Sequence, residues 1–134
     1  MSSVVNSERL PNVVLIPIGT QAATITLPGM YLRKKSRIKA VHLLNNAAIT
    51  ADNTNYLQLS LQNLAGLEYA TLDTRAANDG AVVARTPKAL TQVSAQQNRG
   101  ELEAPADESL QVVVTKNGTA VPTLATLQVE YYPL

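Results

Sequence analysis

The fold class is decided by residues 56–62, which read Tyr56-Leu57-Gln58-Leu59-Ser60-Leu61-Gln62. Leucines alternate with polar residues along this stretch, and successive side chains of a β-strand point to opposite faces of the sheet. The alternation predicts a strand with a leucine face toward a core and a polar face toward water, as in half-exposed antiparallel sheets. No window of the chain shows apolar residues at a helical period over a comparable length.

Similar runs occur on both sides of this stretch. Leu127, Val129 and Tyr131 alternate with polar residues near the end of the chain. Residues 112–114 are three consecutive valines, which is typical of a strand in the middle of a sheet and leaves open which valine faces inward. The predicted strands are residues 13–18, 22–27, 37–44, 56–62, 67–71, 88–94, 110–116 and 124–132. About eight short strands predict an all-β chain folded as an antiparallel two-sheet β-sandwich.

Turn residues separate these runs. Pro28-Gly29, Asn78-Asp79-Gly80, Asn98-Arg99-Gly100 and Asn117-Gly118 favour the preset or left-handed backbone of tight turns. We expect the last of them to form a hairpin turn rather than a glycosylation site. Residues 47–55 and 74–84 are expected to be loops.

Composition predicts one domain with an aliphatic core. The chain has 134 residues, of which 46% are hydrophobic and 16% are charged, and its formal net charge is +1. A chain of this size buries roughly two-thirds of its unfolded surface, which suffices for a core without cross-links. Because Phe and Trp are absent, Leu, Val, Ile and Ala must fill that core, and an aromatic ligand cage is not expected.

The chemistry-bearing residues are sparse. The chain has no Cys and one His, so disulfides, thiolate metal sites and multi-histidine sites are excluded. His42 lies inside a predicted strand and is interpreted as structural, and residues 52–55 lack the Gly and distal Glu of a calcium loop. No phosphate-binding glycine loop or nucleophile motif is present. We expect a protein that is not an enzyme and binds no cofactor or metal.

Two charged clusters stand out. The acidic residues Glu101, Glu103, Asp107 and Glu108 are interpreted as part of a solvated loop. Five of the eleven basic residues lie within seven positions beside Tyr31, namely Arg33, Lys34, Lys35, Arg37 and Lys39. This basic cluster could protect a sheet edge against wrong pairing, dock on an acidic protein surface, or hold single-stranded nucleic acid through phosphate contacts and stacking. One tyrosine is a small stacking platform and the net charge is near neutral, so the two protein-surface interpretations are preferred and nucleic acid is ranked third.

Residues 1–16 were searched for a secretion signal and for a membrane-spanning segment. Residues 1–12 lack the charged start, apolar core and cleavage site of a secretion signal. The longest apolar run, residues 13–16, is far shorter than the ~20 residues of a membrane-spanning helix. We expect a protein made in the cytoplasm and not inserted in a membrane.

Several segments together carry a family resemblance. They are Arg37-Ile38-Lys39-Ala40-Val41-His42-Leu43-Leu44, residues 51–61, Thr86-Pro87-Lys88-Ala89-Leu90-Thr91, residues 106–118 and Leu127-Gln128-Val129-Glu130-Tyr131. In this order they resemble small jelly-roll head proteins of tailed bacteriophages, especially capsid decoration (cement) proteins and some head-fibre bases. The resemblance covers residues 36–132. Two departures are Ala106 before Asp107, where the family usually has Gly, and a heavier basic run.

The resemblance implies a jelly-roll β-sandwich domain at residues 31–134, preceded by an N-terminal arm or edge strands at residues 1–30. It implies a homotrimer that binds the major capsid protein on the outside of the virion and stabilises the expanded head. The five basic residues, with part of the N-terminal segment, are the predicted capsid contact. The alternative is a glycan- or receptor-binding module of a head or tail fibre.

Overall fold

The computed structural model describes residues 10–134 and shows two packed antiparallel sheets. The strands are β1 (Asn12–Gly19), β2 (Ile25–Leu32), β3 (Ser36–Leu44), β4 (Tyr56–Asn63), β5 (Glu68–Asp73), β6 (Lys88–Ala89), β7 (Thr91–Gln92), β8 (Gln97–Asn98), β9 (Glu101–Ala104), β10 (Glu108–Asn117) and β11 (Ala125–Pro133). A single 3-10 turn, Ser94–Gln96, separates β7 from β8.

The order of the strands is that of a jelly roll. One sheet has six strands in the order β1-β11-β3-β9-β8, with β6 also paired to β3, and the other has five in the order β2-β10-β4-β5-β7. The chain therefore crosses between the sheets at every connection except β4–β5 and β8–β9. Such crossing between two antiparallel sheets is the jelly-roll form of the sandwich. The predicted fold class is confirmed, and the strand count exceeds the prediction because β6–β9 are short pieces.

The core lies between the sheets and follows the predicted alternation. Leu57, Leu59 and Leu61 of β4 are at most 2% exposed. In β10, Val112 and Val114 are fully buried while Val113 is half-buried on the outer face, which settles the orientation that the sequence left open. Alternation rather than hydrophobicity thus decides which valine enters the core.

The predicted turn at Pro28-Gly29 is wrong, because β2 runs through it. The pairing of β2 with β10 shifts between Ser109 and Gln111, so β2 contains a bulge at this point. A Cβ on Gly29 would lie 2.6 Å from the backbone oxygen of Leu110. Glycine allows this close approach, and an edge strand tolerates the proline.

The predicted strand at residues 88–94 is interrupted. Its first part, β6, pairs with β3, and its second part, β7, pairs with β5 in the other sheet. After the 3-10 turn, β8 and β9 form a hairpin whose turn residues Arg99 and Gly100 have φ of 57° and 81°. Positive φ at both positions is the geometry of a two-residue hairpin turn, so this predicted turn is confirmed.

Two predicted loops need correction. Glu101–Ala104 is strand β9 rather than a solvated loop, because Leu102 and Ala104 point into the core while Glu103 points away. Asn117-Gly118 is not a hairpin turn, because β10 and β11 belong to different sheets and the connection crosses between them.

The N-terminal strands are edge strands of the same sandwich. Strand β1 pairs with β11, and β2 pairs with β10, each at the edge of its sheet. Strands β1 and β2 thus contribute to the two sheets from residue 12 onward. Residues 1–9 of the predicted arm lie outside the described residues.

Candidate interaction surfaces

The predicted basic residues lie at one end of the sandwich, which we call the basic end. It is formed by the β2–β3 connection (residues 33–35), the start of β3, the β9–β10 connection (residues 105–107) and the end of β11. The register of β2 with β10 and of β3 with β11 brings these segments together.

The β2–β3 connection is held by hydrogen bonds from both sides. The backbone N–H of Leu134 donates to the oxygen of Lys35 over 2.7 Å, and that of Asp107 donates to the oxygen of Arg33 over 3.3 Å. The hydroxyl of Ser36 donates to the oxygen of Lys34 over 2.8 Å. The backbone that carries these basic side chains is therefore fixed by the folded sandwich.

Two of the five basic residues are paired inside the chain. Lys35 Nζ lies 3.4 Å from Glu103 Oε1, and Arg37 Nε lies 3.4 Å from Glu101 Oε2. A second Arg37 nitrogen lies 3.9 Å from Glu103 Oε2. Sequence analysis missed this partial neutralisation because the acidic segment is distant along the chain and was interpreted as a loop.

The other three basic side chains are exposed. Arg33, Lys34 and Lys39 form no salt bridge with any carboxylate of residues 10–134. Arg33 and Lys34 stand together on the β2–β3 connection, whereas Lys39 lies further along β3, where the pairing with β11 is irregular. The structure does not present the five residues as one patch, and their role as a capsid contact stays a prediction.

A cleft of about 320 Å³ opens beside Arg33 and Lys34. Its lining includes the buried Leu32 and Ser36, the ring of Tyr31, and Tyr131 from β11. The Tyr31 side chain is 54% exposed.

The hydroxyl of Tyr31 is held by the neighbouring connection. It donates a 2.6 Å hydrogen bond to Asp107 Oδ1. This bond, with a smaller contribution from desolvation, raises the pKa of Tyr31 above its ordinary value. The tyrosine is thus fixed as a neutral wall of the cleft.

Strand β1 forms a second exposed surface. Its eight residues, Asn12–Gly19, include no charged side chain. Val13 and Leu15 are 51% and 61% exposed and lie opposite Glu130 and Gln128 of β11. Edge strands of monomeric proteins are commonly protected by charged side chains, by proline or by β-bulges. Strand β1 has no charged side chain, and its protective features are Pro17 and the bulge between Pro17 and Gly19.

The outer face of the five-stranded sheet is polar. A shallow depression of about 430 Å³ is lined by Gln58, Ser60, Thr71 and Asp73, among others. Gln58 Nε2 donates to Asp73 Oδ2 over 3.0 Å, and the Arg75 guanidinium donates to the same carboxylate over 2.6 Å. Arg75 holds the pKa of Asp73 at about 2.

Asp52 and His42 were the other residues considered for metal or acid–base chemistry. Asp52 Oδ1 accepts hydrogen bonds from the backbone N–H groups of Thr54 and Asn55, and these bonds lower its pKa. His42 is half-buried in β3, opposite Gln128. Within residues 10–134 no group of three or more His, Cys, Asp or Glu side chains could hold a metal ion.

Comparison with known proteins gave one structural match. No family model matches the chain, and no curated protein matches it. A solved chain from the structure of infectious bursal disease virus, Gx strain, is similar with a TM-score of 0.30 and 14% sequence identity. The match covers 91% of this chain and 33% of that one, so this chain spans about a third of the other's length.

Among the described residues, no helix has the length and apolar character that crossing a bilayer requires.

Proposed function

We propose that this protein is a non-enzymatic structural protein of a virion, which binds the outer surface of a bacteriophage capsid as a trimer and stabilises the expanded head. The observation that carries the proposal is the uncharged, apolar edge strand β1 on a complete jelly roll. An edge strand without charges, interrupted only near its end by Pro17 and a bulge, favours contact of its exposed apolar residues with another protein chain. The resemblance to phage head proteins supplies the identity of the assembly.

Self-association through β1 explains its exposed side chains. Val13 and Leu15 project from the outer face of the six-stranded sheet at its edge. If two copies paired β1 with β1, the contact would be symmetric and would close as a dimer. A trimer requires β1 of one copy to meet a different surface of the next, with closure after three copies.

The partner on the shell is the major capsid protein, and the location is the outside of the virion. Of the predicted contact residues, Arg33, Lys34, Lys35 and Arg37 lie at the basic end, and Lys39 lies further along β3. A ligand that binds only the assembled shell stabilises it by about 2.7 kcal/mol per site at a hundredfold excess over Kd. The function needs neither a cofactor nor a nucleic acid or membrane partner.

Light scattering after size exclusion tests the trimer. The wild type is expected at three times its chain mass of 14.3 kDa. Leu15→Lys, which places a charge in the β1 surface, is expected to give monomers. Val83→Lys is the matched control, because Val83 is 63% exposed on the loop between β5 and β6 and is not part of β1. A wild-type protein that is monomeric at all concentrations would contradict the trimer.

Heating of phage heads tests the stabilising role. Heads that carry the protein are expected to release their DNA at a higher temperature than heads stripped of it, and readdition should restore the higher temperature. Equal melting of bare and saturated heads would contradict the proposal.

A glycan- or receptor-binding module of a fibre is the second candidate. The polar depression on the five-stranded sheet favours it, because amide, hydroxyl and carboxylate groups there can bind sugar hydroxyls. A glycan array hit that is lost in Gln58→Ala, with no saturable binding to capsids, would replace the first proposal with this one.

A further inference from the structure

The cleft at the basic end combines an apolar wall with two cations. Tyr31 and Tyr131 contribute ring surface, and Arg33 and Lys34 stand at its rim. A volume of about 320 Å³ is enough for one large side chain and the backbone around it.

The two cations extend from a fixed stretch of backbone and are not neutralised. Their backbone is held by the hydrogen bonds from Leu134, Asp107 and Ser36. Neither side chain forms a salt bridge within residues 10–134, whereas the nearby Lys35 is paired with Glu103. A rigid site loses less entropy on binding than a mobile loop would.

From this arrangement we propose that the cleft binds an extended acidic segment of the partner protein, with one apolar side chain of that segment between Tyr31 and Tyr131 and its carboxylates on Arg33 and Lys34. The proposal deepens the proposed function and rests on it only for the identity of the partner. It narrows the predicted five-residue contact to two cations and the cleft beside them.

Charge around the cleft favours a peptide over a nucleic acid. Asp107 bonds Tyr31, and Glu101 and Glu103 lie along the neighbouring strand β9, so a polyphosphate chain that continued past the cleft would meet three carboxylates. A peptide can carry its carboxylates only where it meets Arg33 and Lys34 and so avoid these three groups, which a continuous polyphosphate cannot do. The hydroxyl of Tyr31 is held by Asp107, which limits its freedom to stack on bases.

Titration of isotope-labelled protein with the synthetic peptide DEDLDED tests the cleft directly. At low salt and up to about 1 mM peptide, amide signals of residues 31–36 and of Tyr131, Tyr132 and Leu134 are expected to shift and saturate. The uncharged peptide NQNLNQN should leave them unchanged. The absence of saturable shifts with DEDLDED, or tighter binding of a thymidine oligonucleotide at these residues, would overturn the proposal.

A matched pair of double variants separates the cleft from general charge. Arg33→Gln with Lys34→Gln is expected to weaken peptide binding about tenfold or more. Arg85→Gln with Lys116→Gln removes one Arg and one Lys at the other end of the sandwich and should leave binding unchanged. Equal weakening in both would show that net charge, rather than the cleft, attracts the peptide.

Capsid binding by the same variants distinguishes this inference from the proposed function. If the wild type binds capsids and the Arg33→Gln, Lys34→Gln variant binds them equally well, the cleft is not the docking site although the function stands. If the wild type fails to bind capsids but binds the peptide in the cleft, the proposed function is wrong and the peptide site remains.

Discussion

Glu103 lies directly opposite Arg37 in the antiparallel pairing of β9 with β3, and its carboxylate also lies 3.4 Å from Lys35 Nζ. Strand pairing thus brings an acidic segment beside a basic one that precedes it by more than sixty residues. This relationship decides which cations of the basic end are available to a partner.

Glu103→Gln should leave Lys35 without its carboxylate partner, while Arg37 keeps its pair with Glu101. Exposed ion pairs contribute little, so the free energy of unfolding should fall by less than about 1 kcal/mol in urea titrations. The variant should elute from a cation exchanger at higher salt than Glu68→Gln, which removes the same charge elsewhere. Identical elution of the two variants would argue against local neutralisation of the basic cluster.

Asn45→Ala should loosen the end of the sandwich opposite the basic end. The buried Asn45 accepts a 2.8 Å hydrogen bond from the Thr123 backbone and donates one of 2.7 Å to the Ala47 oxygen. Leaving these partners unpaired should cost about 2 kcal/mol in chemical denaturation. Asn46→Ala, at an exposed neighbour, should cost less than about 0.5 kcal/mol. A comparable decrease in the free energy of unfolding of both variants would show that the Asn45 hydrogen bonds do not stabilise the two loops.

Gly29→Ala should test the close approach of β2 to β10. The new Cβ would lie 2.6 Å from the Leu110 oxygen, and backbone atoms cannot rotate away. We expect a loss of about 3 kcal/mol in the free energy of unfolding. Gly100→Ala has open space around it and should cost about 1 kcal/mol for its left-handed backbone. A Gly29→Ala protein as stable as Gly100→Ala would mean that β2 does not lie this close to Leu110.

Asp73→Asn should destabilise the protein in a pH-dependent way. The pKa of Asp73 is about 2 in the folded chain against an ordinary 3.8, chiefly because Arg75 bonds the carboxylate. The stabilisation is therefore fully present above pH 3.8 and is lost as the pH falls through about 2. Because Arg75 is partly exposed and solvent screens the pair, we expect a deficit of about 1 kcal/mol at neutral pH. Denaturation curves that stay equally far apart from neutral pH down to pH 2 would contradict this.

The regular strands were predictable because alternation reports burial directly. Leu57, Leu59 and Leu61 face the core as expected, and so do Leu127 and Val129. A half-buried strand needs only its own side chains to define its two faces, so no knowledge of its neighbours is required.

The errors occur where a neighbouring strand decides the structure. Pro28-Gly29 has the residues of a turn, but pairing with β10 keeps it in a bulged strand. Residues 101–104 look like a solvated acidic loop, but Leu102 is drawn into the core and β3 pairs with the segment. Local residue preferences cannot predict these contacts, because each contact depends on a strand that is distant in the sequence.

The position of the basic residues near Tyr31 was predictable from the sequence. The residues that pair with them or line the cleft beside them were not. The density of cations near Tyr31 is visible in the sequence, and Arg33 and Lys34 are indeed exposed. The pairing of Lys35 and Arg37 with β9, and the contribution of Tyr131 to the cleft, depend on strand register between distant segments.

Electron cryomicroscopy of phage heads saturated with the protein tests the central claim most directly. The account predicts three jelly rolls around a symmetry axis on the outside of the shell, with β1 between copies and Arg33 and Lys34 facing the capsid protein. Heads without such density would contradict it. So would heads in which the end of the sandwich opposite the basic end meets the shell while β1 faces solvent.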